Sequence, residues 1–281
     1  MNPSAQRHVA MRSLRRRAAM TAEERWIVRL AQAAFVLVLT IVASSAYIRL
    51  SAGVPDTPSA AIEAARIAHR ISASAAGLLV LFIAGLVFTR DRSRWPDIAL
   101  AAATLAVTLV LAWIGRYSGA DASATVLVSN LTGGLALSTL LWAIAARQSG
   151  ANHQAPPAAT ATLASVTLLA VALQSATGAM TVTKFAKLGL THHLSGIVAL
   201  GLCVWLGARL AHSRATQRAG NMIIALGVFQ AALGIAALAH SLPLWLVLAH
   251  NVGAAMLLAA LVQASVRHAH FQRSFAPHGS G

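Results

Sequence analysis

Four histidines stand where the chain leaves them little water: His69, His192, His193 and His250. The remaining histidines fall in tails, loops or the ends of apolar blocks. Neutral imidazole is the commonest metal ligand among side chains, and an ionisable group at membrane depth is costly unless it is paired or ligated. His250 lies between "LWLVL" and "VGAAMLLAAL", and no carboxylate follows Asp121 in the chain. Two readings stand for it: a helix–helix hydrogen bond, or metal ligation. No cysteine or carboxylate cluster accompanies it, which argues against a zinc or di-iron centre.

The elements that must position these residues follow from composition. Of 281 residues, 57% are hydrophobic and only 10% charged, against roughly 25% charged in a soluble domain. The apolar residues fall into eight blocks of membrane length, 26–50, 65–88, 96–116, 123–146, 158–180, 190–212, 219–240 and 244–267. About 20 apolar residues of helix cross a bilayer core. None of the blocks alternates as a barrel strand does, and backbone groups in lipid must be satisfied within the segment. The sequence therefore predicts an all-α membrane protein with eight transmembrane helices.

Charge sets the expected orientation. Sixteen of the 22 Lys and Arg lie in the N-terminal arm, after the even-numbered blocks or in the tail, and six (Arg49, Arg66, Arg70, Arg116, Lys184 and Lys187) lie on the other side. The positive-inside rule places both termini in the cytoplasm of a multi-pass bacterial inner-membrane protein. The basic arm abuts a span, so anionic membrane lipid is its expected partner and nucleic acid is not. The first block is too long for a cleaved signal peptide and ends in "AYIRLS" rather than a small-residue site. A lone cysteine, Cys203, excludes an intramolecular disulfide and leaves the redox compartment open.

The chain also repeats itself. Gln-x-x-x-Gly recurs at Gln174/Gly178 and Gln230/Gly234, "AHRISASAAG" answers "THHLSGIVAL", and "SNLTGGLAL" answers "AHNVGAAML". Aligned so, His69 corresponds to His192, Arg70 to His193, and Asn130 to His250. The repeat predicts two tandem four-helix bundles, 26–146 and 158–267, joined by a polar linker at 147–157 and flanked by a basic arm (1–25) and a tail (268–281). Both bundles run in the same direction, as in some transporters, although no charged midplane site or Gly/Pro-interrupted span pair supports transport.

Within this frame His192 and His250 open parallel spans at similar depth, and facing histidines on bundle helices are a standard way to hold a cofactor. Two imidazoles suffice for the axial positions of a haem iron. His193, about 100° around the helix, takes the place of Arg70. For both, snorkelling to the interface and pairing with an anionic group such as a haem propionate stand as equal readings. Asn130 is a poor iron ligand, so the N-terminal half keeps one histidine, His69. That leaves either a pocket with an open coordination position or a decayed site.

The order of these segments resembles the haem A synthase family over about residues 26–267. "SSAYIRLSAG", "AHRISA", "IGRYS", "SNLTGGLAL", "QAALGI" and "PLWLVLAHNVGAAMLLAAL" are each similar to a family segment. The resemblance implies haem b between His192 and His250 and haem O as substrate near His69. It implies oxidation of a haem O methyl group to the formyl of haem A for cytochrome oxidase assembly. Its implied partners are an enzyme supplying haem O, oxidase assembly proteins and an electron donor, with further copies of the chain also open. Three departures fall in the N-terminal half: Asn130 replaces a histidine, Arg66 stands where a carboxylate precedes His69, and "SAGVPDTPSAAIEA" lacks the cysteine pair of many bacterial members. Glu63, six residues before His69, is the candidate replacement for that carboxylate. A non-catalytic haem b protein for electron transfer or oxidase assembly is the alternative.

Overall fold

The computed structural model describes residues 20–51, 58–90, 94–117, 123–149, 158–181, 188–240 and 243–275. The basic arm through residue 19, the linker from 150 to 157, Lys184, Lys187 and the end of the tail lie outside the described residues. Eight helices account for nearly all the rest: α1 (Ala22–Ser51), α2 (Ser59–Phe88), α3 (Trp95–Gly115), α4 (Ala124–Gln148), α5 (Ala158–Thr181), α6 (Leu188–Ala211), α7 (Gln217–Ala239) and α8 (Leu244–Phe275). Each is long and apolar enough to cross a membrane, which makes this a multi-pass membrane protein.

Several helices outrun their apolar blocks. The second starts at Ser59 rather than 65, directly after Pro58, and the eighth continues past 267 to Phe275. Apolar length marks the stretch that lipid can cover. The ends of the hydrogen-bond ladder are set by breakers and caps, and no Gly or Pro interrupts α8 between Gly253 and Pro277. The start of α1 is a reciprocal capping box: the Glu24 N–H donates to Thr21 Oγ1 at 3.1 Å and the Thr21 N–H to Glu24 Oε2 at 3.0 Å. Ser123 caps α4 by accepting from the Val126 N–H.

Each set of four consecutive helices closes into a ring: α1 packs on α2 and α4, α3 on α2 and α4, α5 on α6 and α8, and α7 on α6 and α8. Diagonal neighbours stay apart. Among the described residues, no Cα atom of α2 comes within 8 Å of one in α4, nor any of α6 within 8 Å of one in α8. The buried apolar residues form one cluster around Ile27, Val38, Ile83 and Leu141 and another around Leu163, Cys203, Leu206 and Leu261. The seam between them is centred on α4 and α8, with α1 also packed on α8 and α4 on α5, and there Trp142 Nε1 donates to Gln263 Oε1 at 3.1 Å. Outward faces carry exposed Leu78, Phe82, Leu109, Leu173, Ile197 and Ile235, as a lipid-covered surface requires.

One end of the molecule is tied by charge. Arg90 pairs with Glu23 at 2.9 Å and donates to Gln148 Oε1 at 2.7 Å, Arg94 pairs with Glu24 at 3.0 Å, and Arg147 with Asp97 at 2.7 Å. These contacts join α1, α2, α3 and α4 at the end opposite the histidines. Among the described residues, the only small-residue contact close enough to demand glycine on both sides is between α6 and α7. There a Cβ on Gly220 would run into the Gly207 carbonyl oxygen, and one on Gly207 into Ile224.

Candidate functional site

His192 and His250 come from the diagonal helices α6 and α8, so their side chains reach into a space that backbone does not fill. Their ring centroids lie 6.5 Å apart with planes at 81°. Two imidazoles that each place one nitrogen about 2.0–2.1 Å from a shared metal ion have centroids roughly 6 Å apart. The pair therefore stands at a separation suited to one metal ion between the rings. Among the described residues no group of three His, Cys, Asp or Glu side chains gathers anywhere. A two-imidazole donor set fits a metal already held in a macrocycle, whose remaining positions are axial.

The Gln-x-x-x-Gly repeat frames this pair. Gly178 of α5 lies against His192, where a Cβ would come 2.6 Å from the ring Cε1, and Gly234 of α7 lies against His250, where a Cβ would come 3.3 Å from its Cε1. One turn earlier stand the glutamines. His192 Nδ1 is 3.2 Å from the Gln174 backbone carbonyl. A carbonyl only accepts, so in this contact Nδ1 is the donor, the tautomer in which Nε2 keeps its lone pair. The Gln174 amide nitrogen sits 3.1 Å from Nδ1 and 3.4 Å from Nε2. In the same way Gln230 Nε2 donates to the His250 backbone oxygen at 2.7 Å, and Gly253 leaves the room that the Gln230 Oε1 occupies.

Among the described residues, three buried polar atoms in this region have no hydrogen-bond partner: His250 Nδ1, Gln230 Oε1 and Asn251 Nδ2. Buried polar atoms are seldom left so. Their concentration beside one histidine marks a place organised around something other than protein–protein hydrogen bonds.

His193 points elsewhere. It is exposed, and its centroid is 5.9 Å from that of His192. Arg70, its repeat counterpart, is exposed as well.

Residues 182–262 match a family model, COX15-CtaA, described as cytochrome oxidase assembly protein. No curated protein matches the chain. The COX15-CtaA segment runs into the middle of α8 and contains His192, His193, Gln230, Gly234 and His250. Gln174 and Gly178, which complete the frame around His192, stand just before it.

The N-terminal half lies outside the COX15-CtaA segment, and its site is thinner. His69 on α2 is half-buried with Nδ1 3.4 Å from Ser44 Oγ on α1. Ser44 Oγ lies 2.7 Å from the Thr40 carbonyl, to which it donates, so toward His69 it can accept, which again leaves Nε2 open. Asn130 on α4 is half-buried across the diagonal from α2. Glu63 is not brought to His69: it is exposed and pairs with Arg66 at 3.5 Å. Sequence reading noticed the glutamines only as a repeat. Nothing in one dimension showed that each would lie against the histidine of the next helix. Arg49, by sequence a positive charge at a span end, has its Nε buried with no partner among the described residues.

Proposed function

We propose that the chain is a haem A synthase-type membrane oxidoreductase. In this reading the C-terminal half holds haem b between His192 and His250, and the N-terminal half receives haem O at His69. The substrate methyl group is oxidised to the formyl group of haem A for cytochrome oxidase assembly. The observation that carries the reading is the His192–His250 pair, 6.5 Å apart on diagonal helices inside the COX15-CtaA segment. A bound haem supplies one-electron chemistry, and the protein supplies ligation, orientation and exclusion of water. The Gln174 carbonyl beside His192 Nδ1 and Ser44 Oγ beside His69 Nδ1 support the tautomer in which each ring presents Nε2. The positive-inside rule puts the Glu23–Arg90 end in the cytoplasm and the histidine end at the outer face of a bacterial inner membrane. Another enzyme supplies haem O, water supplies the formyl oxygen, and an external electron-transfer partner takes the four electrons that leave the methyl group.

The test is spectral, then chemical. The purified protein is expected to carry a low-spin bis-imidazole haem, and a protein without one sinks the reading. Expressed beside a source of haem O, it is expected to yield haem A on pigment extraction. A second reading draws on Asn130 and on the exposed Glu63–Arg66 pair, both in the proposed substrate half. It makes the chain a haem b protein of electron transfer or oxidase assembly that performs no oxidation. Haem b held by His192 and His250 with no haem A formed would select it.

A further inference from the structure

Arg49 is the one guanidinium whose Nε is wholly buried with no partner among the described residues. Arginine stays protonated in proteins, and a charge at membrane depth without a counter-charge is a candidate functional group by default. Every described carboxylate is already engaged: Glu23, Glu24 and Asp97 at the opposite end of the molecule, and Glu63 with Arg66.

Helix phase shows where Arg49 points. Residues seven apart share a helix face, and the row Phe35, Val42, Arg49 runs along α4. Phe35 meets Trp142 with ring centroids 5.0 Å apart, and Val42 fills the space beside Gly134, where a Cβ would come 3.1 Å from its Cγ2. The two helices are antiparallel, so Arg49, roughly 10 Å beyond Val42, faces the first turns of α4, about one turn outward of Asn130. That row faces inward, toward the bundle. The positive end of the α4 dipole adds to the charge there. On the other side of α1, Ser44 touches His69. Arg49 thus stands at the mouth of the space between α2 and α4. In the C-terminal half Gln174 touches His192 as Ser44 touches His69, and the position five residues after Gln174 is Ala179, which is buried. Among the described residues, the C-terminal half has no charge at that position.

We propose that Arg49 is the anion site of the N-terminal half and pairs with a carboxylate of an amphipathic porphyrin whose apolar body enters between α2 and α4. This rests on the reading of the N-terminal half as the substrate half. Arg49 orients the ligand by its carboxylate edge while His69 meets it from the facing helix.

The test uses full-length protein in detergent with its C-terminal haem in place, titrated with added ferric haem b and, separately, with the dimethyl ester of haem b. Wild type is expected to take up one further equivalent of haem b and to bind the ester at least tenfold more weakly. Arg49→Gln is expected to lose about tenfold or more in affinity for haem b, to be indifferent to esterification and to keep the as-purified spectrum, while Arg49→Lys recovers part of the loss. Equal binding of acid and ester by wild type overturns the proposal even if Arg49→Gln does not fold. So does haem b binding by Arg49→Gln at wild-type strength, or no uptake of a second equivalent. If acid and ester bind alike and Arg49→Gln instead loses co-purified phospholipid, Arg49 belongs to a lipid headgroup. If Asp56→Asn or Asp121→Asn reproduces Arg49→Gln, the charge is neutralised within the chain and the proposal falls. The as-purified band reports the His192–His250 reading separately, so the two can fail independently.

Discussion

In the C-terminal half the diagonal helices α6 and α8 carry His192 and His250, and in the N-terminal half the same diagonal, α2 and α4, carries His69 and Asn130. The neighbours differ in step. Gln174 lies against His192 where Ser44 lies against His69. Gln230 fills the space beside Gly253 of α8 where Leu111 fills the space beside Gly133 of α4. Gly234 holds open a place against His250, whereas Gly115, its counterpart one turn after Leu111, has nothing near it. Arg49 adds a charge that Ala179 lacks. A bundle frame and its furnishing are thus separable: the ring of helices needs only apolar faces of the right length, whereas a site needs particular atoms at the diagonal. The proposed reading gives one half two ligands and the other one ligand and an anion.

That contrast can be broken most sharply at its ligands. His250→Ala is expected to abolish the as-purified low-spin haem spectrum, while His69→Ala leaves it intact. Loss of the band in His69→Ala, or its survival in His250→Ala, would mean the halves are assigned the wrong way round. Next in size, Asn130→His should give the N-terminal half a second axial ligand, seen as a doubling of low-spin haem per polypeptide. No gain would show that Ser44 and Leu111, and not Asn130 alone, separate the halves.

A smaller effect is expected at the glycines. Gly178→Val drives a side chain into the His192 ring, and such overpacking costs about 1–3 kcal/mol, readable as lower haem retention. Gly115→Val, with open space around it, should retain haem as wild type does. Gln174→Leu removes the amide beside His192 but keeps the backbone carbonyl. Loss of a supporting contact to a metal ligand typically costs about 10–100-fold in affinity, and we expect the low end, with altered electron paramagnetic resonance g values as the signature. Smallest of all, Trp142→Phe should cost about 0.6 kcal/mol, the average for a polar contact between membrane helices. A double-mutant cycle with Gln263→Leu would isolate it.

Much of this molecule could be read in one dimension. Eight apolar blocks became eight helices because lipid leaves the backbone no other partner than itself, and His193, which the repeat set apart from His192, is exposed. What escaped was lateral. Glu63 was a candidate for the missing carboxylate by helical spacing, but a cation one turn away, Arg66, claims it in an exposed pair. Helix ends escaped too, because apolar composition measures burial in lipid and carries no mark of where the ladder stops.

The sequence by itself determined the number and kind of the elements and, through its repeat, which residues correspond, because hydrophobic length and order are properties of the chain. Only the tertiary structure decided that α6 and α8 stand across a diagonal with their imidazoles 6.5 Å apart. It alone set Gln174 and Gly178 against His192 and turned Arg49 into the bundle. Those facts depend on helix phase and on which faces meet, and the chain order of apolar residues leaves both open until the helices pack.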